Sequence, residues 1–328
     1  MADSLFLLQG MTIIGYCVYL YEYNILKLGN AQINLALRST YPYICIMKVY
    51  KWCIISILFM LMLSGCSLFE FHPYSVKIAG KTDTNTKYAG ILEESGLELP
   101  IKFAFITDTQ GSLDEMRRAV YDIIGRGDID FIVHGGDQTD FGLPKEYVWS
   151  RDILELSGLP YISVIGNHDC LGNGNDTFND IFGPENFSFN VAHTHFLCLN
   201  TIALEYDYSR PVPDLDFIER DCKATNELNR KQPGSITHTV VIMHSRPYDE
   251  QFNNNVAKPF NEYISHFPGM KGDGKIPSFC INGHNHSMAV EDIFQNGILY
   301  YQAPNIAKRA YFIFTITEES YEYEVVSF

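Results

Sequence analysis

The chain has 328 residues, 46% of them hydrophobic, and its 24 lysines and arginines against 39 aspartates and glutamates give a net charge of −15. This length excludes a peptide module, and the negative charge argues against an ordinary nucleic-acid binder. The composition is that of a globular chain able to bury a sizeable core, and eight cysteines are too few for a disulfide scaffold.

Two uncharged apolar segments, residues 5–21 and 52–69, occupy the first part of the chain. Either of them has nearly the length that a membrane-spanning helix needs. The second is preceded by Met47 and two lysines, and its apolar run ends in the sequence LSGC at Cys66. A charged start, a short apolar run and small residues at the end are typical of an export signal.

The LSGC sequence resembles a bacterial lipobox, in which the cysteine becomes the first residue of the exported protein and carries a lipid. The resemblance implies a signal peptide over 47–65 and lipidation of Cys66. Residues 1–46 would then be upstream translation, and a genuine extra transmembrane helix at 5–21 is the alternative. A signal anchor that stays in the membrane is the alternative for the second segment.

After cleavage, 20 basic and 37 acidic residues would remain, a net charge of −17. Without a basic cluster, the lipid itself would hold the protein to a membrane. Residues 66–99 are interpreted as a lipidated tether and domain entry, and residues 100–328 as the folded domain. The resemblance to a lipobox implies that the protein is located in a bacterial cell envelope. Cys66 is followed by Ser67 and not by an acidic residue, which favours a location at the outer membrane or the periplasmic face.

From residue 100 onward, apolar strands alternate with amphipathic helices. Residues 101–108, 130–137 and 161–169 are predicted strands, because each contains a short run of apolar or β-branched residues. Apolar side chains at helical spacing predict a helix over 113–123, and Pro144 begins another that ends near Leu156. This alternation predicts a layered α/β core.

The second half of the domain continues with a predicted hairpin over 187–201 and a helix near 214–229. Two further strands, 237–245 and 278–286, end in polar residues. The last three strands, which begin at residues 297, 309 and 321, alternate apolar and polar side chains. This alternation predicts antiparallel strands.

Polar residues of the types that bind metals follow five of the predicted strands. They are Asp108 with Gln110, Asp137, Asn167 with His168 and Asp169, His244, and His284 with His286. In an open α/β sheet, ligands bind beyond the carboxyl ends of the strands, so residues far apart in sequence meet there. The spacing of two between His284 and His286 lets both point the same way on extended backbone.

These motifs resemble the calcineurin-like metallophosphoesterase superfamily. They are DTQ at 108–110, GDQTD at 136–140, GNHD at 166–169, His244 and GHNH at 283–286. The resemblance implies a four-layer α/β/β/α sandwich of two mixed sheets flanked by helices. It also implies a dinuclear metal centre that hydrolyses a phosphomonoester or phosphodiester with a metal-activated water.

The resemblance assigns ligands to two divalent metal ions, with Asp137 as the bridge. The first site would comprise Asp108, Gln110, Asp137 and His286, and the second Asp137, Asn167, His244 and His284. These oxygen and imidazole donors suit Mn, Fe or Zn rather than thiolate-bound metals.

Gln110 departs from the family pattern, which has a histidine there. An amide keeps an oxygen donor and loses a nitrogen ligand, so the first site is expected to be weaker and more oxygen-rich, which favours Mn or Mg. In the other interpretation, Gln110 only forms hydrogen bonds within its loop. The departure keeps a second function open, that of a ligand-binding or degenerate member of the fold with little turnover.

His168 would, by the same resemblance, stabilise the transferring phosphoryl group and protonate the leaving oxygen. Asp169 would orient His168 or a neighbouring loop. Arg246 is a candidate for binding a substrate phosphate oxygen, or else a solvated surface arginine. His134 is predicted to be a core histidine, and Cys170 a small buried thiol.

Substrate choice is expected to reside in the tyrosine-rich insert at 200–213 and in the polar loop at 251–255. The expected partners are a small or membrane-associated phosphate ester and, through Cys66, a lipid membrane. Nucleic acid is disfavoured as a substrate because the acidic chain has no basic run.

Overall fold

A computed structural model describes five parts of the chain: residues 50–57, 60, 78–206, 210–270 and 278–328. Residues 50–57 form a short helix in a unit that extends to Phe69, and Glu70–Phe328 forms a second unit. Apart from that helix and residue 60, the predicted signal peptide, Cys66 and residues 1–46 lie outside the described residues. Among the helices that are described, none is long and apolar enough to cross a membrane.

The first sheet has five strands in the order β11-β10-β1-β2-β3. Their bounds are β1 Ile101–Ile106, β2 Phe131–His134, β3 Tyr161–Ser163, β10 Ala310–Ile316 and β11 Tyr321–Ser327. The strands β1, β2 and β3 are parallel, whereas β10 pairs antiparallel with β1 and with β11. Phe105 lies between Val133 and Phe312 in this register.

The second sheet has six strands in the order β4-β5-β6-β7-β9-β8. Their bounds are β4 Phe187–Val191, β5 Thr194–Leu199, β6 His238–Met243, β7 Phe279–Asn282, β8 Ala289–Glu291 and β9 Leu299–Gln302. The prediction that β9 is antiparallel like the two strands after it is wrong in part, because β9 pairs parallel with β7 and antiparallel only with β8. Consecutive residues Tyr300 and Tyr301 are both buried, as in a strand covered on both faces.

In the part of Glu70–Phe328 that the structure describes, six helices surround the sheets. They are α1 Thr84–Glu94, α2 Leu113–Arg126, α3 Pro144–Glu155, α4 Gly174–Ile181, α5 Leu215–Lys231 and α6 Ala257–Ile264. The apolar face of α2 buries Met116, Val120 and Ile123, and the helix ends at Gly127, whose φ of 71° suits a residue without a Cβ. Short 3₁₀ turns occur at His168–Cys170, Asn254–Val256 and Ile306–Lys308.

Three apolar cores separate the layers and confirm the predicted four-layer sandwich. Phe103 of β1 and Phe196 of β5 face each other in the core between the sheets, with ring centroids 5.6 Å apart. Helices α2, α3 and α4 pack on the outer face of the first sheet. Helices α5 and α6 pack on the outer face of the second.

Helix α1 lies within the segment that the sequence assigned to the tether and domain entry. Its Ala89 and Leu92 are buried in the core between the sheets. The Asn85 side chain donates to the Ser163 carbonyl and accepts from the Ser163 amide, both at 2.8 Å. Folded structure therefore begins before β1.

Candidate metal centre

The polar residues that follow the parallel strands converge at one end of the two sheets. Asp108, Asp137 and His244 are buried, and each offers a ligand atom within 4.8 Å of the others. Asp108 follows β1 and Asp137 follows β2 in the first sheet, whereas His244 follows β6 in the second. The cluster therefore joins the carboxyl ends of strands from both sheets, as the sequence predicts.

Asp137 occupies the middle of the cluster. Its Oδ2 lies 3.2 Å from His244 Nε2 and accepts from Gln110 Nε2 at 3.3 Å. Its Oδ1 accepts from the backbone amide of His168 at 3.0 Å. One carboxylate thus contacts a member of each predicted metal site, which is the position that a bridging ligand requires.

Asp108, Gln110 and His286 form the more open side of the cluster. His286 Nε2 lies 3.3 Å from Asp108 Oδ1 and 3.4 Å from Gln110 Nε2. The side chain of His286 is 46% exposed, whereas that of Asp108 is fully buried. This side of the centre therefore opens toward solvent.

Asn167, His244 and His284 form the deeper side. His284 Nδ1 donates to Asn167 Oδ1 at 3.0 Å. His244 Nδ1 donates to the carbonyl of Gly135 at 2.7 Å, which leaves Nε2 as the atom that faces the carboxylates. Proteins usually orient a metal-binding imidazole in this manner, because the ring nitrogen that does not bind the metal donates to a backbone carbonyl.

The charges of the centre are strongly coupled. Burial opposes protonation of His244, but Asp137 and Asp108 outweigh it and raise the pKa of the imidazole to about 10. Burial would raise the pKa of Asp137, but His244 outweighs it and lowers that pKa. Two buried carboxylates thus require positive charge beside them, either a proton on His244 or a cation.

The donor set fits divalent cations. Gln110 Oε1 and His244 Nε2 are buried without a hydrogen-bond partner, although His244 Nε2 lies close to Asp137. Rotation of the Gln110 amide exchanges its oxygen and nitrogen, so either atom can face the carboxylates. Ligand atoms 3.2 to 3.4 Å apart suit a cation that binds each at about 2.0–2.2 Å.

The backbone around the centre is held in uncommon conformations. Asp108, Asp137, His284 and His286 have φ values of 53°, 56°, 74° and 54°. Non-glycine residues in this left-handed region carry strain and cluster at functional sites. A Cβ at Gly166 would overlap Oδ1 of Asp137, so only glycine lets the two loops approach this closely.

His168 lies against the centre through its backbone, and its ring is fixed separately. Its Nδ1 donates to the carbonyl of Asp140 at 3.0 Å, so Nε2 is the atom left for chemistry. Asp169 contacts the loops rather than this ring. Its carboxylate accepts from the amides of Gln138 and Thr139 at 2.9 and 3.0 Å and from that of Gly166 at 3.0 Å. Burial and the nearby Asp137 raise its pKa to about 7.

Arg246 forms ion pairs with two acidic side chains. Its guanidinium lies 3.0 Å from Glu291 and 3.6 Å from Asp249. Cys170 is buried, its Sγ donates to the Gly166 carbonyl at 3.3 Å, and burial raises the pKa of the thiol. These contacts give Cys170 a packing role.

The sequence did not assign His134 and Thr109 to the site, but their side chains hold its loops together. His134 Nδ1 accepts from the amide of Gly136 at 3.2 Å, so its Nε2 donates to Thr109 Oγ1 at 2.9 Å. The ring thereby connects the loop after β1 with the loop after β2. His134 directly precedes the GGD sequence, which is the signal that links it to the site.

Acid is expected to weaken the fold through His134. Burial, with repulsion from His244, lowers the pKa of the His134 imidazole from 6.5 to about 3. The unfolded chain therefore binds a proton that the folded chain excludes, and the stability present above pH 6.5 is lost as pH falls toward 3. We expect His134 to account for about 2 kcal/mol of unfolding free energy between about pH 6.5 and 4.5.

Urea unfolding of the chelator-treated wild type and of His134→Gln at both pH values measures this contribution. The wild type is expected to lose more stability than the variant by that amount, because glutamine does not titrate. An equal loss in both proteins would contradict the assignment.

Comparison with known proteins gives a family and a fold. The family model described as calcineurin-like phosphoesterase matches residues 101–288, more than half of the chain. No curated protein sequence matches the chain.

Among the solved structures that are similar in fold, two illustrate the likeness. One is GAP50, "the anchor in the inner membrane complex of Plasmodium", at 15% identity and a TM-score of 0.50, covering 69% of this chain and 84% of that one. The other is the purple acid phosphatase PPD1 of yellow lupin, at 13% identity and a TM-score of 0.50, covering 67% of this chain and 50% of that one.

Proposed function

Since this chain belongs to the calcineurin-like phosphoesterase family and is a hydrolase of phosphate esters, we propose that it acts through a two-metal centre on a phosphomonoester or phosphodiester. The observation that carries the proposal is the position of Asp137. Its carboxylate contacts Gln110 on one side and His244 on the other. The other side chains that would bind the metals are Asp108, Asn167, His284 and His286.

Bound divalent metals would supply an activated water and hold phosphate oxygens there. Phosphorus then gains a bond to the water oxygen and loses its bond to the leaving oxygen. His168 is placed to give that oxygen its proton, because Nδ1 is held by the Asp140 carbonyl and Nε2 can carry the transferable hydrogen. Asp169 keeps His168 in place indirectly, because its carboxylate joins the loop that contains Asp137 to the loop that contains His168.

A second candidate function is metal-dependent binding with little turnover. The observation in its favour is Gln110, which presents an amide where the family has an imidazole. If this function is the correct one, folded protein with bound metal hydrolyses no ester, and Gln110→His restores measurable turnover.

Metal removal tests the proposed function. We expect chelation to lower kcat/KM at least about 100-fold on 4-nitrophenyl phosphate or bis(4-nitrophenyl) phosphate, because the metals activate the water and neutralise developing charge. Reloading with Mn is expected to restore the rate, and the preferred ester separates monoester from diester hydrolysis. A rate that is unchanged in chelator would contradict the proposal.

We also propose that the protein is held in a bacterial cell envelope by lipid on Cys66 and acts on a small or membrane-associated phosphate ester. The LSGC sequence after an apolar run supports this proposal. Expressed in bacteria, the wild type is expected in the membrane fraction. Cys66→Ser, which cannot be lipidated, is expected to stay at its precursor mass, with the signal uncleaved. Identical masses for the two proteins would contradict lipidation.

A further inference from the structure

The loop that contains His284 and His286 is anchored by a buried side chain of a neighbouring strand. Gln302 is the last residue of β9, is 2% exposed and belongs to none of the sequence motifs. It pairs in register with Asn282 of β7, the residue before the GHNH sequence. Gln302 therefore lies at the edge of the sheet where the metal-binding residues converge.

The amide of Gln302 binds the residues on both sides of His286. Its Oε1 accepts from Asn285 Nδ2 at 2.8 Å, and its Nε2 donates to the carbonyl of Ser287 at 2.7 Å. The same Nε2 lies 3.0 Å from Ser287 Oγ. One buried side chain thus fixes both neighbours of a metal-binding histidine that is itself half exposed.

Asn285 extends this anchor to the loop that follows β6. Its Nδ2 has two hydrogens and donates one to Gln302 and the other to Asp249 Oδ1, also at 2.8 Å. Asp249 Oδ2 accepts in turn from the backbone amide of Arg246, two residues after His244, at 3.1 Å. The hydrogen bonds therefore join β9 to the loops that follow β6 and β7. We call the four linked residues the amide network: Asp249, Asn285, Ser287 and Gln302.

The donors and acceptors of the amide network fit together in one orientation. A carboxylate and a backbone carbonyl accept hydrogen bonds, so Asp249 and the Ser287 carbonyl each need the NH₂ group of an amide. Asn285 then turns its nitrogen toward Asp249, and Gln302 turns its oxygen toward Asn285. Rotation of either amide would place two acceptors against each other. Each bond in the network therefore supports the next.

The conformation of the GHNH loop requires such an anchor. The backbone at His284 and His286 is left-handed, with φ of 74° and 54°, and the amide of Asn285 donates to the Gly283 carbonyl at 3.0 Å in a tight turn. Non-glycine residues in this region carry strain and persist only where surrounding contacts hold them. Loss of the network is therefore expected to let the loop relax and move His286 Nε2 away from Asp108 Oδ1, now 3.3 Å from it.

His284 has further anchors, whereas His286 depends on the network. The backbone amide of His284 donates to the Asp108 carboxylate at 3.2 Å, and its Nδ1 is held by Asn167. Among the described residues, none forms a hydrogen bond of this kind with the backbone of His286. An effect of the network is therefore expected on the open side of the centre, where His286 lies.

We propose that Gln302 and Asn285 are positioning residues that hold His286 in place to bind the metal on the open side of the centre. The inference rests on the proposed two-metal function. The hydrogen bonds of the two amides go to Asp249, to Ser287 and to each other, so both residues act through the backbone of the GHNH loop. Such outer contacts orient metal ligands in many proteins.

Calorimetric titration of the metal-free, full-length chain with Mn tests the inference without reference to catalysis. We expect Asn285→Ala to lower the affinity of the weaker of two Mn sites by about 10- to 100-fold, as is usual when an outer contact of a metal ligand is removed. The tighter site is expected to keep its affinity. Asn285 is exposed, so its replacement is expected to leave a folded protein.

Gln302→Met removes both bonds of the buried amide and is expected to weaken the same site. Combined with Asn285→Ala, it is expected to cost less than the sum of the two single losses, because both changes break one network. If Gln302→Met does not fold, Asn285→Ala decides alone. Asn226→Ala is the matched control, because Asn226 is also exposed and its Nδ2 also donates to two acceptors, the carbonyls of Cys222 and His266. The control is expected to bind both Mn ions with wild-type affinity.

Two further measurements separate positioning of His286 from a general loss of structure. The urea midpoint of metal-free Asn285→Ala is expected to stay close to that of the wild type. On the preferred ester, the Mn concentration that gives half the maximal rate is expected to rise by about 10- to 100-fold in this variant. The kcat at saturating Mn is expected to stay near the wild-type value, because neither amide takes part in the reaction.

Two Mn sites of unchanged affinity in Asn285→Ala would overturn the inference and leave the proposed function standing. Equal losses at both sites, or a clearly lowered urea midpoint in this variant, would also overturn it, because the amides would then hold the fold and not His286 in particular. A wild type that binds fewer than two Mn ions would overturn the two-metal centre and the inference together.

Discussion

Replacing His168 with alanine is expected to lower kcat/KM by about 10²- to 10⁴-fold on an alkyl phosphate while metal binding is retained. The ring supplies the proton to the leaving oxygen, so its loss slows bond cleavage. The contact between His168 and Asp137 comes from the backbone amide, which alanine keeps. The variant therefore separates proton donation from assembly of the metal centre.

Leaving-group dependence tests this role directly. 4-Nitrophenolate leaves readily without a proton, so His168→Ala is expected to lose much less activity on 4-nitrophenyl phosphate than on an alkyl ester. Calorimetric titration with Mn measures metal binding in both proteins. Equal losses on the two esters, or a lost metal site, would show that His168 acts in some other way.

Replacing Asp137 with asparagine is expected to abolish turnover, with a loss of at least about 10³-fold, and to reduce the number of bound metals. The amide has the same shape but no charge, and both sides of the centre depend on this carboxylate. His244 in turn loses the partner that holds its pKa high. Removing one member of a buried ion pair costs about 3–5 kcal/mol, so the metal-free variant is also expected to be less stable.

Metal content by elemental analysis, kcat/KM on the preferred ester and urea unfolding are the measurements for Asp137→Asn. Asp216→Asn serves as the control for loss of one negative charge. Asp216 is exposed on helix α5, which packs on the second sheet. Retention of two metals with full activity in Asp137→Asn would exclude Asp137 as the bridge.

The two sides of the centre are expected to differ in metal affinity. His284 and Asn167 are fixed to each other on the buried side, whereas Gln110 and the half-exposed His286 lie on the open side. An amide binds metals less strongly than an imidazole, and a solvent-exposed ligand costs more entropy to fix. Metal is therefore expected to leave the Gln110 side first when the protein is titrated with chelator.

The order of the elements and the places where polar chemistry occurs could be predicted from the amino-acid sequence. Helix α2 follows from apolar residues at helical spacing and from Gly127, and the strands β1, β2, β6 and β7 follow from apolar runs. Because backbone geometry sets these periods locally, they can be recognised without knowledge of neighbours in space. The rule that carboxyl ends of parallel strands meet then brings Asp108, Asp137 and His244 together.

The partners of each strand and of each polar side chain became known from the fold, and no local pattern predicted them. Strand β9 alternates in sequence like an antiparallel strand but lies parallel to β7, because its place in the sheet depends on chain segments far away. The pairing of His134 with Thr109 and of Arg246 with Glu291 likewise joins residues far apart in sequence. Such contacts depend on how complete layers pack against each other, and a local pattern contains no information about that packing.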